Sequence, residues 1–285
     1  MKNSNLYAAY LLMSSMILLG ACSGSKQEEA SMQDTTQVAD TSSNQKREFT
    51  EFEFDKMMAN FPKPMEIETE ILKSGIKFEK VALNDLANAS NYQTDAKKAI
   101  NFGIYSVDLG YLAVFNKKQE AIRYLKTARE FAIALHAGEA FEREAGANIE
   151  ANISNKDTLV KIADDVYYDS YSHIKSSNNL EIATLVVIGS WVESQFHALN
   201  SIREVPRDKK TDAVFNKIYE NQLHLSNLLN VVNQFKGKAE FDALIPDMEN
   251  LLTLYKSFKE TSALQQDGAK KLYDSVAALR SKLIS

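Results

Sequence analysis

The chain has four histidines, and three of them share one kind of surrounding. Asp169 precedes His173 by four residues, Glu193 precedes His197 by four, and Glu220 precedes His224 by four. On a helix this spacing places an imidazole and a carboxylate on one face. Imidazole nitrogen and carboxylate oxygen are the donors a divalent transition metal takes from protein. Asp169, His173, Glu193, His197, Glu220 and His224 are therefore the candidate metal ligands. The plainer reading is that an acid four residues before a histidine stabilises its helix by about 0.2–0.5 kcal/mol.

A second group stands out by its setting. Asp108 lies in "YSVDLGY" and Glu193 in "GSWVESQF", both inside segments that are otherwise apolar. An acid buried in such a place must be paired or protonated. With Trp191 as a wall, Asp108 and Glu193 form a candidate ligand-binding group. The alternative is a pair of helix-to-helix hydrogen-bond anchors. Tyr167, Tyr168 and Tyr171 form a candidate aromatic patch, or else half-buried tyrosines with their hydroxyls at the surface.

The elements that must position these residues are helices. From Phe49 onward there are eight glycines in 237 residues, and prolines only at 62, 64, 206 and 246. No Asn-Gly or Asp-Gly hairpin signal separates alternating runs. "KKQEAIRYLKTAREFAIAL" places Ala121, Tyr124, Leu125, Ala128, Phe131, Ala132 and Leu135 on one stripe, the pattern of an amphipathic helix. Ser154 or Asn155 offers a start signal for another, with Leu159, Ile162, Ala163 and Val166 on its apolar face. Residues 99–115 and 180–196 are apolar nearly all round and belong at the centre of a bundle. Gly103, Ser106 and Gly110 share a face, and Gly189-Ser190 interrupts the other central segment, so these two can cross closely. Lys117-Lys118 follows the first directly, which predicts a short turn and an antiparallel neighbour. The fold expected is all-α, an irregular multi-helix bundle of antiparallel helices. The stretch from Ala99 to Ala132 is similar to a tetratricopeptide repeat in the order of Gly103, Tyr105, Tyr111, Ala121, Tyr124 and Ala128. Without a second copy, a helical-repeat architecture is the alternative.

The first 21 residues have another character. Lys2 precedes an apolar run from Leu6 to Leu19, and small residues Gly20 and Ala21 follow. This is a secretory signal, too short for a membrane-spanning helix. "LGAC", Leu19 to Cys22, resembles the lipobox of bacterial lipoproteins. That resemblance implies a diacylglycerol and acyl lipid on Cys22 and cleavage just before it. Cys22 is the only cysteine, so no disulfide or thiolate metal site holds the fold. Residues 22–48 carry few apolar side chains and read as a disordered tether behind the lipid, with an end-to-end reach of roughly 25–30 Å. The "SKQEE" within it is similar to surface-export signals of lipoproteins of the Bacteroidota. The expected organisation is a signal at 1–21, a lipidated tether at 22–48, a helical domain at 49–205 and a C-terminal helical subdomain at 206–285.

"GIYSVDLGYLAVFN" and "VVIGSWVESQFHAL" are similar to all-helical lipoproteins of the Bacteroidota. The resemblance spans much of residues 60–205 and implies a helical fold and an outer-membrane, cell-envelope address, but no activity. Bundled di-metal carboxylate proteins use Glu-x-x-His on two helices, and this chain departs from them with Glu-x-x-x-His. His136-Ala-Gly-Glu139 resembles the His-x-x-Glu of imelysin-like envelope proteins, with Ala134 where that family has glycine.

Without the signal, 32 basic residues face 38 acidic ones, a net charge of −6. That balance gives no broad attraction to nucleic acid. Phosphate-binding glycine loops, nucleophile elbows and His-Glu-x-x-His are absent from the sequence. The function expected is a lipid-anchored envelope protein acting as a non-catalytic binding or scaffolding module, with no cofactor beyond the lipid. Its partners are the membrane, through the anchor, and an envelope protein or small ligand. The alternatives are a metal-binding protein or metal-dependent enzyme using the His/acid pairs, and a small-ligand binder near Asp108, Trp191 and Glu193.

Overall fold

The computed structural model describes residues 49–59, 61–145 and 155–285. The Leu19–Cys22 stretch read as a lipobox and the residues 22–48 read as a tether lie outside them. Among the described residues there are eleven α-helices and no strand. They are α1 (Glu51–Met58), α2 (Pro64–Lys73), α3 (Asp95–Val114), α4 (Lys118–Ala134), α5 (Gly138–Ala145), α6 (Lys156–Ser176), α7 (Leu180–Ile202), α8 (Asp212–Val232), the single turn α9 (Ala239–Asp242), α10 (Ile245–Ser257) and α11 (Gln266–Leu283). Short 3-10 turns at Lys80–Ala82 and Leu86–Asn91 lie between α2 and α3.

Local chemistry sets the helix ends. Thr50 and Glu53 form a reciprocal capping box on α1, and Thr94, Asn155 and Asn179 cap α3, α6 and α7, each satisfying an amide with no partner inside its helix. The turn after α3 needs one left-handed residue. Asn116 supplies it at φ 57°, and Lys117 N–H returns to the Leu112 carbonyl at 2.8 Å, which closes a Schellman motif. His136 does the same after α4 at φ 61°, with Ala137 N–H on the Ala132 carbonyl. The His136-x-x-Glu139 stretch thus ends one helix and starts the next, and His136 stays outside the site described below.

Helix α7 is the axis of the bundle. It packs against α3, α11, α2, α8 and α6. By length and composition it is apolar enough to cross a membrane, yet 94% of that apolar window is covered by the rest of the fold. The closest crossing is with α3. A Cβ on Gly189 would fall 1.9 Å from the Ile100 carbonyl oxygen, and one on Gly103 would fall 2.2 Å from that of Val186. Only glycine allows the two backbones to approach this far. The described residues from Phe49 onward form one compact unit, and α8, α10 and α11, all beyond Pro206, bury Phe215, Leu228, Met248, Leu272 and Val276 in the core shared with α3 and α7. Tyr167 is buried with its hydroxyl 3.0 Å from Ser190 Oγ, while Tyr168 and Tyr171 are half-buried.

Candidate functional site

The close crossing of α3 and α7 brings Asp108 to the face of α7 that carries Glu193 and His197. Nε2 of His197 lies 3.1 Å from Asp108 Oδ1 and 3.5 Å from Glu193 Oε1. Helix α2 adds Glu68, whose Oε1 is 3.6 Å from His197 Nδ1. Helix α11 adds Arg280, whose Nε and Nη2 each donate to one oxygen of Glu193 at 2.6 Å. Glu68, Asp108 and Glu193 are fully buried and His197 is 1% exposed.

The segment between α2 and α3 is strapped over this centre. Asn84 N–H donates to Asp108 Oδ2 at 3.0 Å, and the Asn84 carbonyl accepts from Tyr124 at 2.7 Å. The Asn84 side-chain amide donates to Tyr92 and Asn101, and Tyr92 and Asn101 in turn donate to the carbonyls of Ile284 and Leu283. Arg280 Nη2 also donates to the Ala82 carbonyl, and its guanidinium lies 4.2 Å over the Phe196 ring. The Tyr111 ring covers the imidazole at 4.5 Å between centroids. Six separate stretches of chain therefore fix one small polar volume in an apolar core.

Burial and pairing push these groups in different directions. Burial raises the Asp108 carboxyl, and the neighbouring Glu193 charge adds to the rise against the opposing hydrogen bond from His197. Burial also works against ionised Glu193, but Arg280 and His197 outweigh it and hold that carboxyl well below its ordinary range. Burial disfavours the His197 imidazolium, yet Asp108, Glu193 and Glu68 together keep its pKa well above the ordinary value. Glu68 is raised by burial, with His197 and Ser194 offsetting part of the effect. Neither Glu68 oxygen has a hydrogen-bond partner of normal geometry, and neither does His197 Nδ1. Buried polar atoms in that condition are uncommon.

The six histidine and acid candidates thus separate. Glu193 and His197 meet, and the partners they meet are Asp108 and Glu68, not the other two pairs. Asp169 accepts from Arg143 at 3.3 Å, and His173 is exposed. Glu220 pairs with Lys217 at 3.3 Å on an exposed face, and His224 packs edge-on against Phe61. Neither pair has a route to the centre. The ligand-binding group also divides: Asp108 and Glu193 lie in the sealed centre, whereas Trp191 faces away from it. The sequence reading missed Glu68, Asn84 and Arg280. A signal existed for Arg280, which occupies a position on the Ala269–Leu272–Val276–Leu279–Leu283 stripe of α11.

Trp191 lines a cleft between α2, α7 and α8 that reaches solvent beside Phe61, Lys63 and Glu66, while Trp191, Gln195 and Asn221 are themselves buried. Its Nε1–H donates to Asn221 Oδ1 at 3.1 Å, and a Lys217–Glu66 ion pair at 2.7 Å stands at the rim. The cleft has about 30 Å³ of space for water centres. Ser194 belongs to its lining and also lies beside Glu68, so one turn of α7 separates the open cleft from the closed centre. No family model matches the chain, and no curated protein or solved structure is significantly similar to it.

Proposed function

We propose that the protein is a lipid-anchored cell-envelope protein whose helical domain acts by binding a partner, receiving an apolar side chain in the Trp191 cleft. One contrast carries this reading. The groups of the charged centre have essentially no exposed surface, whereas the cleft beside the buried Trp191 indole reaches solvent through half-buried Phe61 and a Lys217–Glu66 ion pair, which are groups of recognition. Its space, enough for about two or three water molecules, limits an inserted group to a small apolar tip and falls far short of the several hundred Å³ usual for a cofactor or drug-sized ligand. The lipobox at Leu19–Cys22 supports the anchor and the tether supports presentation at the outer membrane, with no part in this reading for nucleic acid.

Trp191 is the only tryptophan in the chain, so its fluorescence reports on the cleft alone. Titration with capped tripeptides carrying a central Leu, Val or Phe is expected to give a saturable spectral shift that Phe61→Ala weakens. A folded protein with no saturable change across that series would overturn the binding reading. Cys22→Ser is expected to move the protein from the membrane to the soluble fraction, and retention at the membrane would overturn the anchor.

A further inference from the structure

We propose that the buried centre is a binding site for one divalent transition-metal cation, of which Zn²⁺ is the reference, with His197 Nε2, Asp108 Oδ1 and Glu193 Oε1 as ligands and Glu68 accepting from the opposite ring nitrogen. The site is separate from the Trp191 cleft and does not depend on the partner-binding reading.

Geometry is the first support. Donors bound to one Zn²⁺ lie about 2.0–2.2 Å from it, so their mutual distances are roughly 3–3.6 Å. The imidazole nitrogen is 3.1 and 3.5 Å from its two carboxylate oxygens, and one atom of each of the three residues falls within 4.8 Å of the others. The three come from two crossed helices whose separation is fixed by Gly103 and Gly189.

The second support is the pair of unpartnered atoms. A metal-bound histidine holds its proton on the other nitrogen and gives it to a carboxylate or carbonyl, which sets ring orientation and ligand basicity. With Nε2 on the metal, Nδ1 of His197 must carry the proton, and Glu68 stands 3.6 Å away with both oxygens unpartnered. A small closure of that gap satisfies Nδ1 and the nearer Glu68 oxygen in one tautomer. Arg280 and the Asn84 amide do the corresponding work for Glu193 and Asp108, each carboxylate oxygen having a second lone pair for the metal.

The third support is charge. Three buried carboxylates and one permanently charged guanidinium share a volume shut off from water, so with all three ionised and His197 neutral two negative charges remain to be balanced. Uncompensated buried ions cost several kcal/mol each. A dication supplies both missing charges at once and leaves His197 neutral, as a ligand must be. Nitrogen with carboxylate oxygen suits Zn²⁺, Mn²⁺ or Fe²⁺ and disfavours Cu⁺.

The test uses the full-length protein, stripped with chelator and reloaded with Zn²⁺ alone. Wild type is expected to retain one Zn²⁺ per chain after gel filtration and to melt at a higher temperature with metal than without. Asp108→Asn is expected to weaken binding by about 100-fold or more, and Glu68→Gln, which removes only the outer acceptor, by about 10–100-fold. Exposed His173→Gln leaves binding unchanged. Retention of no zinc by folded wild type overturns the proposal, as does undiminished binding in Asp108→Asn. His197→Gln should abolish binding. If it fails to fold, Co²⁺-loaded wild type decides, with intense visible bands of a low-symmetry nitrogen–oxygen site expected and only weak aquo-ion bands overturning the assignment.

Discussion

Two acid–histidine pairs of identical spacing end in opposite situations. Glu193 and His197 on α7 lie wholly inside the bundle, locked by Asp108, Glu68 and Arg280. Asp169 and His173 lie on the outer face of α6, where the acid turns to Arg143 instead of the histidine. Spacing decides only that two side chains share a helix face. What that face does depends on whether other elements cover it and what they carry. α7 is covered by α2, α3 and α11, and each brings a charged residue to the same place, whereas the Asp169 face receives one surface arginine.

The sharpest way to break the comparison is to remove the arginine from each region. Arg280→Ala takes from buried Glu193 its bidentate cationic partner, so a loss of about 3–5 kcal/mol is expected. Arg143→Ala removes an exposed partner and is expected to cost about 0–1 kcal/mol. Denaturant melts of both variants check the ratio. Near-equal losses would show that the centre is not held by charge pairing.

The helix crossing is the next lever, because it delivers Asp108 to His197. A methyl group at Gly189 meets the Ile100 carbonyl at 1.9 Å, and backbone cannot step aside as a side chain can. Gly189→Ala is expected to destabilise by about 1–3 kcal/mol through overpacking. Gly110→Ala meets only the flexible Met65 side chain and should cost less. Thermal melts that rank Gly110→Ala as the worse variant would argue against the close crossing.

These levers also mark what was legible in the sequence. The α3 and α7 segments announced themselves as central by being apolar all round, and their glycines announced a close approach. Asp108 and Glu193 stood out because an acid in such a segment must be answered by something. The answer was not legible. Glu68 sits in "MEIETEILK" among other acids, and Arg280 in "ALRSKL" resembles any cation in a final helical turn. Only the approach of α2 and α11, which brings Glu68 from 125 residues before Glu193 and Arg280 from 87 residues after it, identifies them. The pairing of all three histidine motifs was misleading for the same reason, since local spacing carries no record of burial.

A pH series on chelator-treated protein compares the regions by ionisation. Glu193 has a lowered pKa in the fold, so its contribution is present above the ordinary value of 4.5 and is lost as pH falls toward the folded value. His197 has a raised one, so its contribution is present below 6.5 and is lost as pH rises through the folded value. Glu68 and Asp108, both raised, act in the same direction as His197 on the alkaline side. Stability is therefore expected to peak near pH 4.5, to fall from there toward 6.5 because Glu68 and Asp108 resist ionisation in the fold, and to fall further above 6.5 as His197 loses its proton. His197→Gln should flatten the alkaline decline, provided the variant folds, and an unchanged decline would place its origin elsewhere.

The smallest effect is expected where the sequence pattern looked equally persuasive. Asp169→Asn keeps the shape of the side chain and removes its charge beside Arg143, a contact of 3.3 Å between groups that are 36% and 64% exposed. Water and salt screen such a pair, and ordering two long side chains offsets most of the attraction. The variant should lie within about 0.5 kcal/mol of wild type, keep the same pH profile and lose what little salt dependence the pair contributes. A loss above about 1 kcal/mol would mean that Asp169 holds α5 to α6 more firmly than a screened surface pair can. The distinction between the two pairs would then be one of degree, set by exposure, and not one of kind.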